Sequence, residues 1–344
     1  MNLSVITSGM VSSVGLTAGS SCAAIRCGMS NLVATRFGDP AGGWLSAALV
    51  PTVTGWGGGR LLDLLIPAME EALGPVRDQT SAGIAVFIVV AGSSHADGQS
   101  LTPGLIAAVE QRLNRRFHPA SQVVAQGVIG GFVALDLARQ ALTQHGAACA
   151  LIAGVDSLVV PEVIQHGLAE RRIRTIAHPD GILLGEAAAA VLCAAPGTIV
   201  TSGIQCAGWH CVPAASQEQA AQVQATVAAI SGACAAAGIT PDDLAGQYGN
   251  LRGREAVLAL AWQRLLRQSK ARFISHAVDD SLGDIGAAWL PALAAVVANA
   301  HQRRWIAGGA VVAHLATADG TIAAAVFRNA EVMNTATVVT EADD

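Results

Sequence analysis

The sequence predicts an α/β protein whose mixed sheets are built from two similar halves. Apolar runs at 83–90 and 148–156 carry no regular polar alternation and read as strands buried on both faces. Segments with apolar residues at helical spacing lie among them, as at 132–142 and 217–237. The hexapeptide at 5–10, Val-Ile-Thr-Ser-Gly-Met, recurs at 199–204 as Ile-Val-Thr-Ser-Gly-Ile, and Pro196-Gly197 marks a turn just before the second copy. The halves are therefore 1–196 and 197–330, while 331–344 ends in Glu-Ala-Asp-Asp without apolar periodicity and reads as a mobile tail.

Composition sets limits. Of 344 residues, 52% are hydrophobic and 13% charged, with 37 glycines, which suits closely packed helices on buried sheets. The net charge of −5 gives no nucleic-acid signature, and the short clusters Arg112, Arg115, Arg116 and Arg171, Arg172, Arg174 read as solvated faces. The first twenty residues hold glycines and no Lys or Arg, unlike a signal peptide. Residues 285–300 are uncharged but contain Pro291 and Asn299 and fall short of the roughly 20 residues a bilayer needs, so they read as a core helix. Seven cysteines without paired spacing fit a reducing cytoplasm. Cys206, His210 and Cys211 invite a metal, but in a strand Cys211 faces away from the other two, so no metal or cofactor is expected.

Each element has its own local reason. Residues 5–15 form an opening strand and a glycine turn, and 83–90 the first fully buried strand. A short strand from Ser121 breaks at Gly127, Gly130 and Gly131, where missing side chains permit a sharp turn, and a helix runs on to Leu142 with Gly146 as its left-handed cap. Strands follow at 148–156 and 181–192. Later come helices at 217–237 and 254–268, strands at 272–275 and 309–315, and a final hairpin at 319–327.

The strand–turn–helix at 121–142 is where chemistry is expected. Such an elbow aims a residue at a helix N-terminus, where unpaired amides and the macrodipole stabilise a thiolate or oxyanion. Val128 occupies that place and can use neither. Cys149 and Cys193 lie in buried strand runs, where a thiol is inert packing.

The elbow, the opening strand ending at Gly15, the Gly185-Glu186 strand and the hairpin at Asp319-Gly320 together resemble the thiolase superfamily, and within it the β-ketoacyl synthases. The resemblance spans roughly the whole chain. It implies a five-layered αβαβα fold of two similar halves with mixed sheets. It also implies that Val128 stands at the nucleophilic cysteine. The family's two histidines map to Tyr248, in Gln247-Tyr248-Gly249-Asn250, and to Asp284, or Gly283 if the register slips by one. Tyr248 is the only tyrosine, His276 lies eight residues too early to replace the second histidine, and the only lysine, Lys270, is not the one that precedes it in the family. Gln126 sits near the elbow, but a decarboxylase of this family keeps the histidines that are missing here.

Claisen condensation needs a thiolate and imidazoles, so the resemblance points away from catalysis. It implies a ketosynthase-like protein that acts as an adaptor or chaperone, as in stand-alone relatives encoded beside type VI secretion spike and effector genes. The alternatives are an inactive partner subunit like a chain-length factor, or an acyltransferase or β-ketoacyl-ACP synthase with an unrecognised nucleophile. A protein partner, whether effector, spike protein or ketosynthase, and a homodimer or heterodimer are implied. The chain is shorter than full ketosynthases, and the loss is expected in loops around the pocket and dimer contact. No nucleic-acid or membrane partner is expected.

Overall fold

The apolar runs become central strands of a 12-stranded sheet, ten of whose strands follow one hydrogen-bonded path. The computed structural model describes residues 2–76, 83–92, 104–197, 203–306 and 309–330. The first half supplies β1 (Leu3–Ser12), α1 (Ala18–Arg26), β2 (Val33–Gly38), β3 (Trp44–Ala48), α2 (Gly57–Leu73), β4 (Ile84–Val90), α3 (Leu105–Leu113), β5 (Gln122–Ala125), α4 (Gly127–Gln144), β6 (Cys149–Ser157), α5 (Pro161–Ala169) and β7 (Leu184–Ala194). The second supplies β8 (Ile204–Pro213), α6 (Gln219–Ala236), β9 (Leu244–Gly249), α7 (Glu255–Leu265), β10 (Ile274–Ala277), α8 (Asp279–Leu282), α9 (Trp289–Gln302), β11 (Ala310–Ala316) and β12 (Thr321–Asn329). Residues 331–344, read from sequence as a tail, lie outside the described residues.

Strand order repeats between the halves. The first runs β1-β7-β6-β4-β5 and the second β8-β12-β11-β9-β10, with antiparallel pairs at the first two steps and parallel pairs at the last two in each. The two sheets meet where β1 pairs with β8 over Leu3–Val5. One apolar cluster joins α2 and α3 to one face of the first sheet, and another joins α6 and α7 to one face of the second. The largest gathers α1, α4 and α9 between both sheets. Helix, sheet, helix, sheet, helix is the five-layered mixed α/β architecture. Burial on both faces explains why β4, β6 and β7 read as mainly apolar runs, with Asp156 and Glu186 the acids inside the last two.

The structure corrects three local readings. Gly130 and Gly131 are not turn residues but lie inside α4, where a Cβ would stand 2.6 Å from Val89 Cγ1 and 2.5 Å from Leu290 Cβ respectively. They let α4 press on β4 and α9. The strand read at 272–275 is Ile274–Ala277. In the hexapeptide repeat, 199–202 lie outside the described residues. The position built like Gly9 is Gly208 rather than Gly203: a Cβ at Gly9 would meet α2 at Ala68 O, 2.0 Å away, and one at Gly208 would meet α6 at Ala233 O, 2.5 Å away.

Other expectations hold. Gly146 follows the α4 C-cap with φ 71°, and the turn before β12 uses Gly320 at φ 91°. Residues 285–300 form a short 3-10 turn and the buried helix α9. Among the described residues no helix is long and apolar enough to cross a membrane. Buried Glu186 accepts from the Val50 amide at 2.7 Å, the Ser157 hydroxyl at 2.9 Å and Arg60 Nε at 2.8 Å, so the Gly-Glu strand carries a fully partnered buried carboxylate.

Candidate functional site

Two helix N-termini point inward at the junction of the halves, because α4 follows β5 and α9 follows β10 in the repeated topology. At the first, the chain leaves β5 through Gln126 and turns at Gly127, whose φ of 55° favours glycine. Val128 then lies half-buried in the first turn of α4 and packs against the central apolar cluster. The elbow geometry is present and its side chain is inert.

At the second, Gly283 takes φ 67° and squeezes past β7, so that the Asp284 amide donates to Leu183 O at 2.7 Å and the Gly185 amide donates to Asp284 O at 3.0 Å. Asp284 Oδ1 accepts from the Gly286 amide at 3.0 Å and from Trp289 Nε1 at 2.8 Å. Trp289 opens α9 and is 0% exposed. Next to it, Asp156 of β6 is sealed in the core. Its Oδ2 accepts the Ala287 amide at 2.9 Å and its Oδ1 the Ser157 amide at 2.9 Å. Burial, with a smaller push from the Asp284 charge, raises its pKa to about 7 against the bonds from Ala287 and Ser157.

Asp284 and Trp289 form one wall of a groove of about 580 Å³. Asn250, Arg252 and Arg254 after β9, His178 and Asp180 before β7, and Thr317 after β11 also line it. Its edges are stapled by hydrogen bonds. Asp279 accepts the Leu251 and Arg252 amides at 3.1 and 2.9 Å, and burial raises its pKa to about 6. Asn250 donates to Ala316 O at 2.8 Å and accepts the Ala316 amide at 2.9 Å. Arg254 donates to Thr226 Oγ1 at 3.2 Å, while its buried Nη1 has no partner among the described residues, and burial lowers its pKa to about 10.

Tyr248 does not face this groove. It lines a separate cavity of about 140 Å³ with Cys22, His276 and Trp305, and its ring lies 5.6 Å from that of His276 on the adjacent strand. None of the four described cavities is lined by more than one of Val128, Tyr248 and Asp284. His276 is thus the cross-strand neighbour of Tyr248. Sequence reading also missed Trp289, Asp156 and Asp279. An acid inside the apolar run 148–156 was the available signal for Asp156.

Every described cysteine with a shifted acidity is shifted upward, away from the thiolate. Burial pushes Cys22, Cys193 and Cys234 up to about 12 and Cys211 to about 11, and raises Cys149 and Cys206 as well. Cys27 is exposed at the C-terminal end of α1 rather than at an N-terminus. No group of three His, Cys, Asp or Glu residues able to hold a metal occurs among the described residues.

The architecture matches solved ketosynthases. The chain aligns over 96% of its length with 99% of the ishigamide ketosynthase/chain length factor, at 18% identity and a TM-score of 0.71. It aligns over 96% with 72% of a ketosynthase from module 6 of the bacillaene synthase of Bacillus subtilis 168, at 13% identity and a TM-score of 0.75. A type II polyketide synthase acyl-carrier protein in complex with its ketosynthase bound to the hexaketide matches over 95% of this chain and 99% of that one, at 13% identity and 0.74. No family model matches the sequence, and no curated protein does. The fold is the thiolase-like fold of ketosynthases.

Proposed function

We propose that this chain is a non-catalytic ketosynthase-like protein that acts by binding another protein, as an adaptor or chaperone. Val128, Tyr248 and Asp284 are then degenerate positions of a former condensing site. The observation that carries the reading is the use made of Asp284. Its carboxylate is committed to the Trp289 indole and the Gly286 amide, and the fully buried indole occupies space beside the second helix N-terminus. A carboxylate held this way repels an enolate, where an imidazolium would stabilise one. At the elbow, valine offers no lone pair to an acyl thioester.

Protein partners fit the neighbours, which include a ketosynthase/chain length factor and a ketosynthase bound to an acyl-carrier protein. In the adaptor reading the partner is a secreted spike or effector protein of a type VI system. A second reading, an inactive subunit paired with an active ketosynthase, fits the alignment with the ketosynthase/chain length factor loosely. Either reading places a dimer contact at an open sheet edge, and the short strand β5 ends the first sheet.

Affinity capture of the tagged protein from its host, combined with incubation with a radiolabelled acyl thioester, separates these readings. Recovery of a spike or effector protein with no retained label supports the adaptor. An intact ketosynthase in stoichiometric amount supports the inactive subunit. Covalent label on any cysteine overturns both.

A further inference from the structure

The cavity beside Tyr248 is separate from the groove and has its own chemistry. Its apolar walls are Ile25 of α1, Ile274 of β10, and Val296 and Ala300 of α9. Its volume of about 140 Å³ is close to the roughly 150 Å³ of an apolar cavity that takes up benzene. Tyr248 is 5% exposed, yet its hydroxyl makes no hydrogen bond among the described residues and is not sealed from solvent.

Two cations line the same space. Arg26 lies 5.3 Å above the Trp305 ring, and its charge acts on both Tyr248 and His276. Arg272 lies at the entry to β10. Neither arginine has a carboxylate partner within 4.0 Å among the described residues. The acids that influence this region are engaged elsewhere: Asp280 faces Arg252 at 3.5 Å, and Glu71 accepts the Ala18 amide at 2.8 Å. An apolar body of benzene size, a free phenol and two unpaired guanidinium groups define one class of ligand.

We propose that this cavity binds a small monocarboxylate with an apolar body of about benzoate size. The ring occupies the space between α1, α9 and β10, and the carboxylate accepts from Arg26, Arg272 and the Tyr248 hydroxyl. The site is independent of the proposed protein-binding role and stands or falls by itself.

Calorimetric titration of the full chain with benzoate, benzamide and 1-naphthoate tests it. Benzoate is expected to bind with a millimolar or tighter Kd. Uncharged benzamide and over-wide naphthoate are expected to bind at least about tenfold more weakly. The surface double variant Arg26→Gln, Arg272→Gln should lose benzoate affinity by at least about tenfold with an unchanged circular dichroism spectrum. Filling the cavity with Ala300→Met should abolish binding. Absence of benzoate binding overturns the proposal, as does equal affinity for benzamide or naphthoate. Undiminished binding by the arginine double variant or by Ala300→Met places the ligand elsewhere and also overturns it.

Discussion

Two fully buried ionisable groups, Asp156 in the first half and His314 in the second, make stability depend on pH in opposite senses. Burial raises the Asp156 pKa from 3.8 to about 7, and burial, aided by the Arg254 charge, lowers that of His314 from 6.5 to about 3. Folded Asp156 holds a proton that the unfolded chain has released between those values, so its contribution is present at low pH and is lost as pH rises towards 7. Unfolded His314 takes up a proton below 6.5 that the folded protein refuses, so its contribution is present above 6.5 and is lost on acidification. Between pH 7 and 5, at about 1.4 kcal/mol per unit, Asp156 gains about 3 kcal/mol over two units and His314 loses about 2 kcal/mol over one and a half. Asp279, with its pKa raised to about 6, adds about 1 kcal/mol in the same sense as Asp156.

These three contributions leave the wild type about 2 kcal/mol more stable at pH 5 than at pH 7, and the variants expose the parts. Asp156→Asn keeps an acceptor for the Ala287 amide and removes the titration. The urea midpoint of this variant should fall from pH 7 to 5, and its stability relative to wild type should worsen by about 3 kcal/mol over that range. His314→Gln keeps a donor for Gln247 Oε1, which His314 Nε2 meets at 2.7 Å, and its midpoint should rise on acidification. Comparing variants cancels groups common to all, His276 and His301 among them. Profiles of wild type and Asp156→Asn that run parallel across pH 5–7 would refute the assignment of a buried, proton-holding Asp156.

Further outcomes follow from the site. Val128→Cys places a thiol at the N-terminus of α4, where its pKa should fall below the ordinary 8.5 or so, and it should react with iodoacetamide near neutral pH, yet no condensation product should form from acyl and malonyl thioesters. Trp289→Ala removes a fully buried indole and leaves Asp284 without its Nε1 donor, so unfolding should become easier by about 3–5 kcal/mol in a urea titration. Trp289→Phe should cost less, about 1–3 kcal/mol, chiefly the lost hydrogen bond. Gly131→Ala drives a Cβ to within 2.5 Å of Leu290 Cβ and should lower stability by about 1–3 kcal/mol, measured by the same midpoint.

Local patterns were enough for what local patterns cause. Apolar runs at 84–90, 149–155 and 187–194 lie in strands covered on both faces, and a lone αL glycine at 146 ends a helix, because each depends on a few consecutive residues. The strand–Gly127–helix elbow with valine in it was equally plain. Strand order, the meeting of β1 with β8 and the layer between the sheets depend on partners about two hundred residues apart, and only the folded chain supplies them. The same separation hid the roles at the site. Gly130 and Gly131 looked like turn residues, until β4 and α9 supplied the contacts that exclude a Cβ. Tyr248 and Asp284 were read as parts of one site, but the direction of each side chain was set by its neighbours. His276 holds one ring beside a small cavity, and the Trp289 indole holds the carboxylate beside a larger groove. The sequence by itself determined the central buried strands and the strand–Gly127–helix elbow that carries Val128, since each depends on a few consecutive residues. Tertiary structure alone decided which polar groups are satisfied and which remain free to bind, since hydrogen-bond partners and desolvation come from residues brought together in space.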